Sequence, residues 1–211
     1  MRALANRVEN VVATLALGGI MLLPLAEIVV RRVFGTGIPG AAPFAQNLTL
    51  WVGLLGAAIA AREGKLLTLA TGEFLPASIG KATHVIAAFA GAAVSMMFAI
   101  GGWDLVTTER AAGDIIAVNV PVWISAVVFP VAFGLIAARL VWRASPGWIG
   151  RAIAALGIVL GVWLTGHQEL LEGQALWPWL VAILAAGVVG MPIFALLGGI
   201  AMVALFIDAS S

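Results

Sequence analysis

The stretch from Ala175 to Ile207, ALWPWLVAILAAGVVGMPIFALLGGIAMVALFI, runs 33 residues without a charge. A bilayer core about 30 Å thick takes roughly 20 helical residues, so this run is more than long enough to cross one. At 1.5 Å per residue it would reach about 50 Å as a straight helix. Something in it must bend, tilt or lie flat, and the two places for that are Trp177-Pro178-Trp179 at its start and Gly190-Met191-Pro192 in its middle. Working outward, apolar segments of the same kind occupy 11–30, 43–61, 84–103, 120–140 and 152–165, with this last one at 176–207. The fifth is short, with 13 apolar residues from Ala152 to Leu164. It must tilt little or thin the bilayer locally, while Arg151 snorkels to the surface.

Composition agrees with six such segments. Of 211 residues 63% are hydrophobic and 10% charged, with a mean hydropathy of +1.12. Soluble chains run near half apolar and a quarter charged, and 11 Lys and Arg with 10 Asp and Glu are too few to cover a core of this size. That excludes a soluble enzyme, a nucleic-acid binder and a disordered tail. A membrane β-barrel is excluded because its strands alternate polar and apolar residues, whereas these runs are continuous. The absence of cysteine removes disulfides, thiolate metal sites and cysteine nucleophiles. At the N-terminus Arg2 and Arg7 precede a largely apolar stretch of 20 residues from Val11 to Val30, longer than the apolar core of a cleavable signal, about 7–15 residues. The segment is read as a retained first span.

Orientation follows from Lys and Arg. With the N-terminus inside, the cytoplasmic set is Arg2, Arg7, Arg62, Lys65, Lys81, Arg139, Arg143 and Arg151, against Arg31, Arg32 and Arg110 outside. Asp104, Glu109, Asp114, Glu169 and Glu172 make the outer side acidic. Six crossings bring both ends to the cytoplasm. Small residues four apart recur as Gly53/Ala57, Ala87/Gly91, Ala88/Ala92, Gly134/Ala138 and Ala186/Gly190, the spacing that lets helix backbones approach in lipid.

The spans hold little chemistry. Apart from Arg139 at the very end of the fourth, Glu27 is the one charge within a span, and Arg31 four residues later gives it a local partner in the favourable order; a salt bridge or subunit contact stands beside a proton- or ion-relay role. Gln46, Asn47 and Thr49 open the second span as a polar cluster, which either bonds across helices or marks the interface. His84 and His167 fall on opposite faces of this topology, so they form neither a haem axial pair nor part of a zinc set. Ser95 has no base near it in sequence. The eight tryptophans mostly mark span ends, with Trp51 well inside its span. Catalytic residues, metal ligands and cofactors are therefore not expected. By elimination the chain is an accessory or scaffold membrane subunit, with a self-sufficient small transporter or channel as the alternative and a membrane-bound enzyme component more distant.

An ordered set of local sequences carries a resemblance. Glu27-Ile-Val-Val-Arg-Arg-Val-Phe34 closes the first span, and Pro43-Phe-Ala-Gln-Asn-Leu-Thr-Leu-Trp51 opens the second. Arg62-Glu63-Gly64-Lys65 follows it, then Ile116-Ala-Val-Asn-Val-Pro121-Val-Trp123 and Phe129-Pro130-Val-Ala-Phe-Gly134. Together residues 1–145 resemble the small, DctQ-like membrane subunit of tripartite ATP-independent periplasmic (TRAP) transporters. The family often has Glu where Gln46 stands, and often His-Ile and an acidic residue where this chain has Leu66-Leu67 and Ala70. The resemblance marks Glu27, Arg31, Gln46, Trp51, Arg62, Glu63, Pro121 and Trp123 as subunit or interface contacts.

The run Gly187-Val-Val-Gly190-Met-Pro192-Ile-Phe-Ala-Leu-Leu-Gly198 is similar to the first helix of the large membrane subunit of the same transporters. That suggests a fused small–large chain: 1–145 the four-span domain, 146–175 a connecting crossing with an acidic outer loop, and 176–211 a helix resembling the start of the large subunit. A family-specific appendage is the other reading of the tail. The expected fold is an all-α polytopic membrane protein of about six spans, with four small-subunit helices, a connecting helix and a long kinked sixth. The resemblance implies a multi-pass protein of the bacterial inner membrane, without cofactor. Its implied partners are a large membrane subunit, fused or separate, a periplasmic solute-binding protein and membrane lipids, with no nucleic acid. The transport implied is sodium-driven symport of organic acids, with cargo and ions carried by the large subunit and this chain enlarging the static scaffold and helping to dock the binding protein.

Overall fold

A computed structural model describes residues 2–66, 77–167, 176–188 and 190–208. Their elements are α1 (Arg2–Phe34), α2 (Ala41–Glu63), α3 (Ala77–Ala112), β1 (Ile115–Ala117), β2 (Val120–Pro121), α4 (Val122–Ala126), α5 (Val128–Arg143), α6 (Trp148–Gly166), α7 (Leu176–Val188) and α8 (Ile193–Asp208). Five stretches, Asn6–Phe34, Ala41–Glu63, Ala82–Ala112, Val122–Arg143 and Trp148–Gly166, are long and apolar enough to cross a bilayer. They coincide with the first five apolar segments of the sequence. The expected acidic loop with Glu169 and Glu172, and the family departures at Leu67 and Ala70, lie outside the described residues.

The boundaries move for local reasons. Helix α3 continues through the polar stretch after Trp103 to Ala112. Strands β1 and β2 then pair antiparallel around Val118-Asn119, both at positive φ, so the next helix starts at Val122, whose N–H donates to the Asp114 carbonyl at 2.9 Å. Pro130 has no N–H to return to Ala126, and α4 and α5 are separated there by Val127. The fifth helix is not short: Trp148–Gly166 has 19 residues, about 28 Å. Its polar and glycine-bearing ends continue the helix beyond the 13 apolar residues, so no thinning of the bilayer is needed.

The sixth apolar segment is two helices rather than one kinked helix. The N–H of Met191 donates to the Ala186 carbonyl and that of Gly190 to the Gly187 carbonyl, both at 3.0 Å. With Gly190 at φ +108, these are the paired bonds of a helix stop with a left-handed cap. Pro192, which lacks an N–H, then opens α8, and its carbonyl accepts from Ala195 and Leu196 at 3.0 Å. A proline alone kinks a helix; a positive-φ glycine two residues before it ends one. At 13 and 16 residues, α7 and α8 reach about 20 and 24 Å and neither alone matches a full crossing.

The chain divides into two compact units, Met1–Ala60 with Gly101–Ala132, and Ala61–Ile100 with Phe133–Ser211. In the first, Leu48 of α2 packs over Gly19 of α1, Gly40 lies against Ala117 of β1, and Gly102 of α3 faces Phe129 and Pro130. In the second, contacts fix helix directions. Along α3, Gly91 meets Leu140 and Phe98 stacks on Phe133 with centroids 4.9 Å apart, so α5 runs against α3. Gly157 lies on the Phe89 carbonyl and Gly161 on that of Ala93, so α6 runs with α3. Pro192 meets Gly91 and Gly198 meets Phe98, so α8 also runs with α3. Ile183 touches Gly199, and α7 therefore runs back along α8 as an antiparallel hairpin. Val94, Met191 and Ala195 form the buried centre where α3 meets this hairpin.

Candidate functional site

Among the described residues, three groups of polar side chains include the residues that the sequence marked. Within the first unit, Asn47 and Trp51 lie four apart on α2 and so share a face. The Ser125 hydroxyl on α4 donates to Asn47 Oδ1 at 2.6 Å, and the Trp51 indole N–H donates to the Ser125 carbonyl at 3.1 Å. Asn47 Nδ2 returns to the Pro43 carbonyl at 2.9 Å. Ser125 is 7% exposed, so this is a satisfied polar link between two apolar helices. Of the cluster that opens the second span, Asn47 bonds across helices, Thr49 bonds its own helix at Ala45, and Gln46 is exposed outside the network.

The second place, in the same unit, includes the end of α1 and the start of α4. Pro121 precedes α4, and the Arg110 guanidinium lies 5.6 Å from the centroid of the Trp123 ring, a cation–π contact. Glu27 and Arg31 pair with each other on α1, and the space beside Gly37 in the following loop is taken by both side chains. The Arg31 side chain is 67% exposed and that of Glu27 23%, so the pair lies on the surface of α1.

The third place lies in the second unit, where α2 ends. Arg62 and Lys65 flank Glu63 at 3.7 and 3.4 Å. Arg143, at the end of α5, donates from Nη1 to the Arg62 carbonyl at 2.8 Å, and its guanidinium occupies the space a side chain at Gly64 would fill. Gly64 has φ +72, a backbone conformation that favours a residue without Cβ. A cleft of 140 Å³ opens beside it, and a second of 280 Å³, lined mainly by apolar side chains, lies among α3, α6, α7 and α8.

Ser125 and Arg143 hold these contacts together, and the sequence did not single them out as site residues. The signal for Ser125 was a lone hydroxyl inside the apolar run after Pro121; for Arg143, a basic residue at a span end facing another helix's turn. Ser95, fully buried, donates to the Gly91 carbonyl at 2.7 Å. Among the described residues every buried side-chain nitrogen or oxygen has a hydrogen-bond partner, and no group of three or more His, Asp or Glu is placed to hold a metal. The arrangement joins helices; it presents no nucleophile with a base.

The model of the family described as "Tripartite ATP-independent periplasmic transporters, DctQ component" matches residues 20–148, more than half of the 211 residues. No curated protein matches the chain.

Proposed function

The chain belongs to the DctQ family, and on that premise we propose that this TRAP-transporter membrane subunit is a static scaffold for sodium-driven uptake of organic acids. The observation that supports this reading is the closure of its polar groups: Asn47, Trp51, Ser95 and Ser125 bond within the protein. A transport path needs polar groups that exchange partners with cargo. Apolar side chains of α1, among them Leu15, Met21, Leu25 and Ile28, are instead exposed, as suits a helix covered by lipid or by another membrane subunit.

The TRAP family works with a large membrane subunit and a periplasmic binding protein; in this reading the first carries solute and sodium and the second delivers the solute. Residues 27–46 and 110–123 supply the outer contacts in this reading, and Arg62 and Glu63 the inner ones. The protein lies in the bacterial inner membrane with Arg2 and Arg7 cytoplasmic. Residues 176–208, on their resemblance to the start of the large subunit, form its first packing surface. The α7–α8 hairpin favours Asp208 on the outer side, in place of the cytoplasmic end expected from a sixth crossing.

The test is reconstitution. Proteoliposomes holding this chain, the large subunit and the binding protein, under an inward sodium gradient, are expected to accumulate an organic acid; omitting this chain abolishes uptake but leaves solute capture by the binding protein intact. Uptake preserved without the chain overturns the scaffold role. Solute flux through the purified chain alone would favour a self-sufficient transporter.

A further inference from the structure

The 140 Å³ cleft of the second unit combines a fixed cation with an apolar wall. Its polar rim is Gly64, His84 and Arg143, and its wall includes Ala88, Leu140 and Pro192. Three turns of chain converge there: the end of α2, the end of α5 and the tip of the α7–α8 hairpin. The scaffold reading gives no role to Arg143 or His84.

Arg143 is held before any ligand arrives. One nitrogen donates to the Arg62 carbonyl at 2.8 Å, and the guanidinium plane rests on Gly64. A guanidinium anchored at one edge still has donors at the others, in the fork geometry that matches a phosphate. Beside it, among the described residues, Arg62 and Lys65 flank the carboxylate of Glu63, and the His84 ring lines the same cleft. The helix ends Glu63 and Arg143 put this rim at a bilayer surface. Charge bias makes that surface the cytoplasmic one.

A free phosphate ion would use the rim and leave the wall idle. A phospholipid uses both, with its phosphodiester on Arg143 and its first methylenes along Leu140 and Pro192. Basic clefts between helices on the cytoplasmic side take lipid headgroups for this reason. We propose that this cleft binds the headgroup of an anionic phospholipid of the inner leaflet, which ties the hairpin tip to the ends of α2 and α5. The proposal rests on the membrane reading and not on what is transported, so it is measured by lipid binding without transport.

The purified full chain, delipidated in a neutral detergent, is titrated with short-chain phosphatidylglycerol, phosphatidylcholine and inorganic phosphate. Bound lipid is followed by native mass spectrometry and by thermal stability. Phosphatidylglycerol is expected to bind saturably and raise the melting temperature, phosphatidylcholine to bind about tenfold more weakly, and inorganic phosphate not to compete. Arg143→Gln is expected to weaken phosphatidylglycerol about tenfold, the loss of one charge-assisted bond. Because Arg143 also holds Arg62, His84→Ala is made as well; its exposed side chain has no structural bond to lose, and it is expected to weaken phosphatidylglycerol several-fold in a folded protein. Equal binding of the two lipids by the unaltered chain overturns the proposal, as does unchanged affinity in both variants. Competition by inorganic phosphate at equal strength would assign a free-anion site instead.

Discussion

The Trp51 indole N–H reaches the Ser125 carbonyl, 74 positions further along the chain, at 3.1 Å. Its ring lies well inside the second span, where a tryptophan is not needed as an interface anchor. Trp51→Phe keeps an aromatic ring there and removes only the donor. A hydrogen bond between membrane helices is worth about 0.6 kcal/mol on average and about 1.7 at most, so the variant is expected to lose about 1 kcal/mol. Ser125→Ala is expected to cost a similar amount, and the two losses combined less than their sum because both break the same link. Thermal unfolding in detergent of the two single variants and the double variant checks this; additive losses would separate Trp51 from the network.

Five spans were legible because a run of about 20 apolar residues has few other uses. The polar link was half legible. Asn47 and Trp51 stand out in an apolar helix, but their partner Ser125 is a common residue whose role depends on a loop that turns through Asp114 to Pro121. That loop's hairpin gives no run of alternating residues long enough to read. The last segment failed for a different reason. Gly-x-Pro in an apolar run is compatible with a kink or a stop, and the choice is made by packing of α7 and α8 on α3, which is not a local property.

Packing of α6 on α3 was hidden by abundance. Gly157 and Gly161 have the spacing that lets helices approach, yet 25 glycines make such pairs commonplace. Of the small pairs that the sequence suggested, Gly53 and Gly134 have open space beside them, whereas a Cβ on Gly157 would overlap the Phe89 carbonyl. Backbone cannot move aside as a side-chain tip can. Gly157→Ala is therefore expected to destabilise by about 1–3 kcal/mol, as overpacking does. Gly53→Ala, with the same propensity gain and no obstacle, is expected to be neutral or slightly stabilising. Melting temperatures of the two variants decide between them, and equal effects would mean that α6 does not approach α3 through Gly157.

Val118 sits at φ +50 at the tip of the β1–β2 hairpin, 72% exposed. A two-residue turn with both φ positive matches the twist of the strands, but a β-branched residue pays in crowding for that conformation. Asn119, beside it at φ +61, is the residue type that adopts it readily. Val118→Asn is expected to stabilise by about 1 kcal/mol, the lower end of the cost of left-handed backbone. An unchanged or lowered melting temperature would show that Val118 is compensated by contacts at the tip.

The α7–α8 hairpin makes the sharpest prediction, because its rival differs by a whole helix length. In one kinked helix, Ile183 and Gly199 are 16 residues apart and about 24 Å distant along the axis. In the hairpin Ile183 Cδ1 would be 3.6 Å from a Cβ on Gly199. The chain has no cysteine, so the pair Ile183→Cys with Gly199→Cys can be oxidised in native membranes without background. An intramolecular disulfide is expected. Gly199 is closely packed against Val94, so Ala186→Cys with Ala195→Cys, from the same buried cluster, serves as a second pair. The same geometry sets sidedness: since α8 runs with α6, Asp208 leaves unit two at the end where α6 leaves. Single cysteines at Gly166 and Asp208 are expected to react with an impermeant maleimide from the same side, and one at Gly147 from the other. Reaction of Asp208 together with Gly147, with no crosslink in either pair, would restore a sixth crossing and return this end to the cytoplasm.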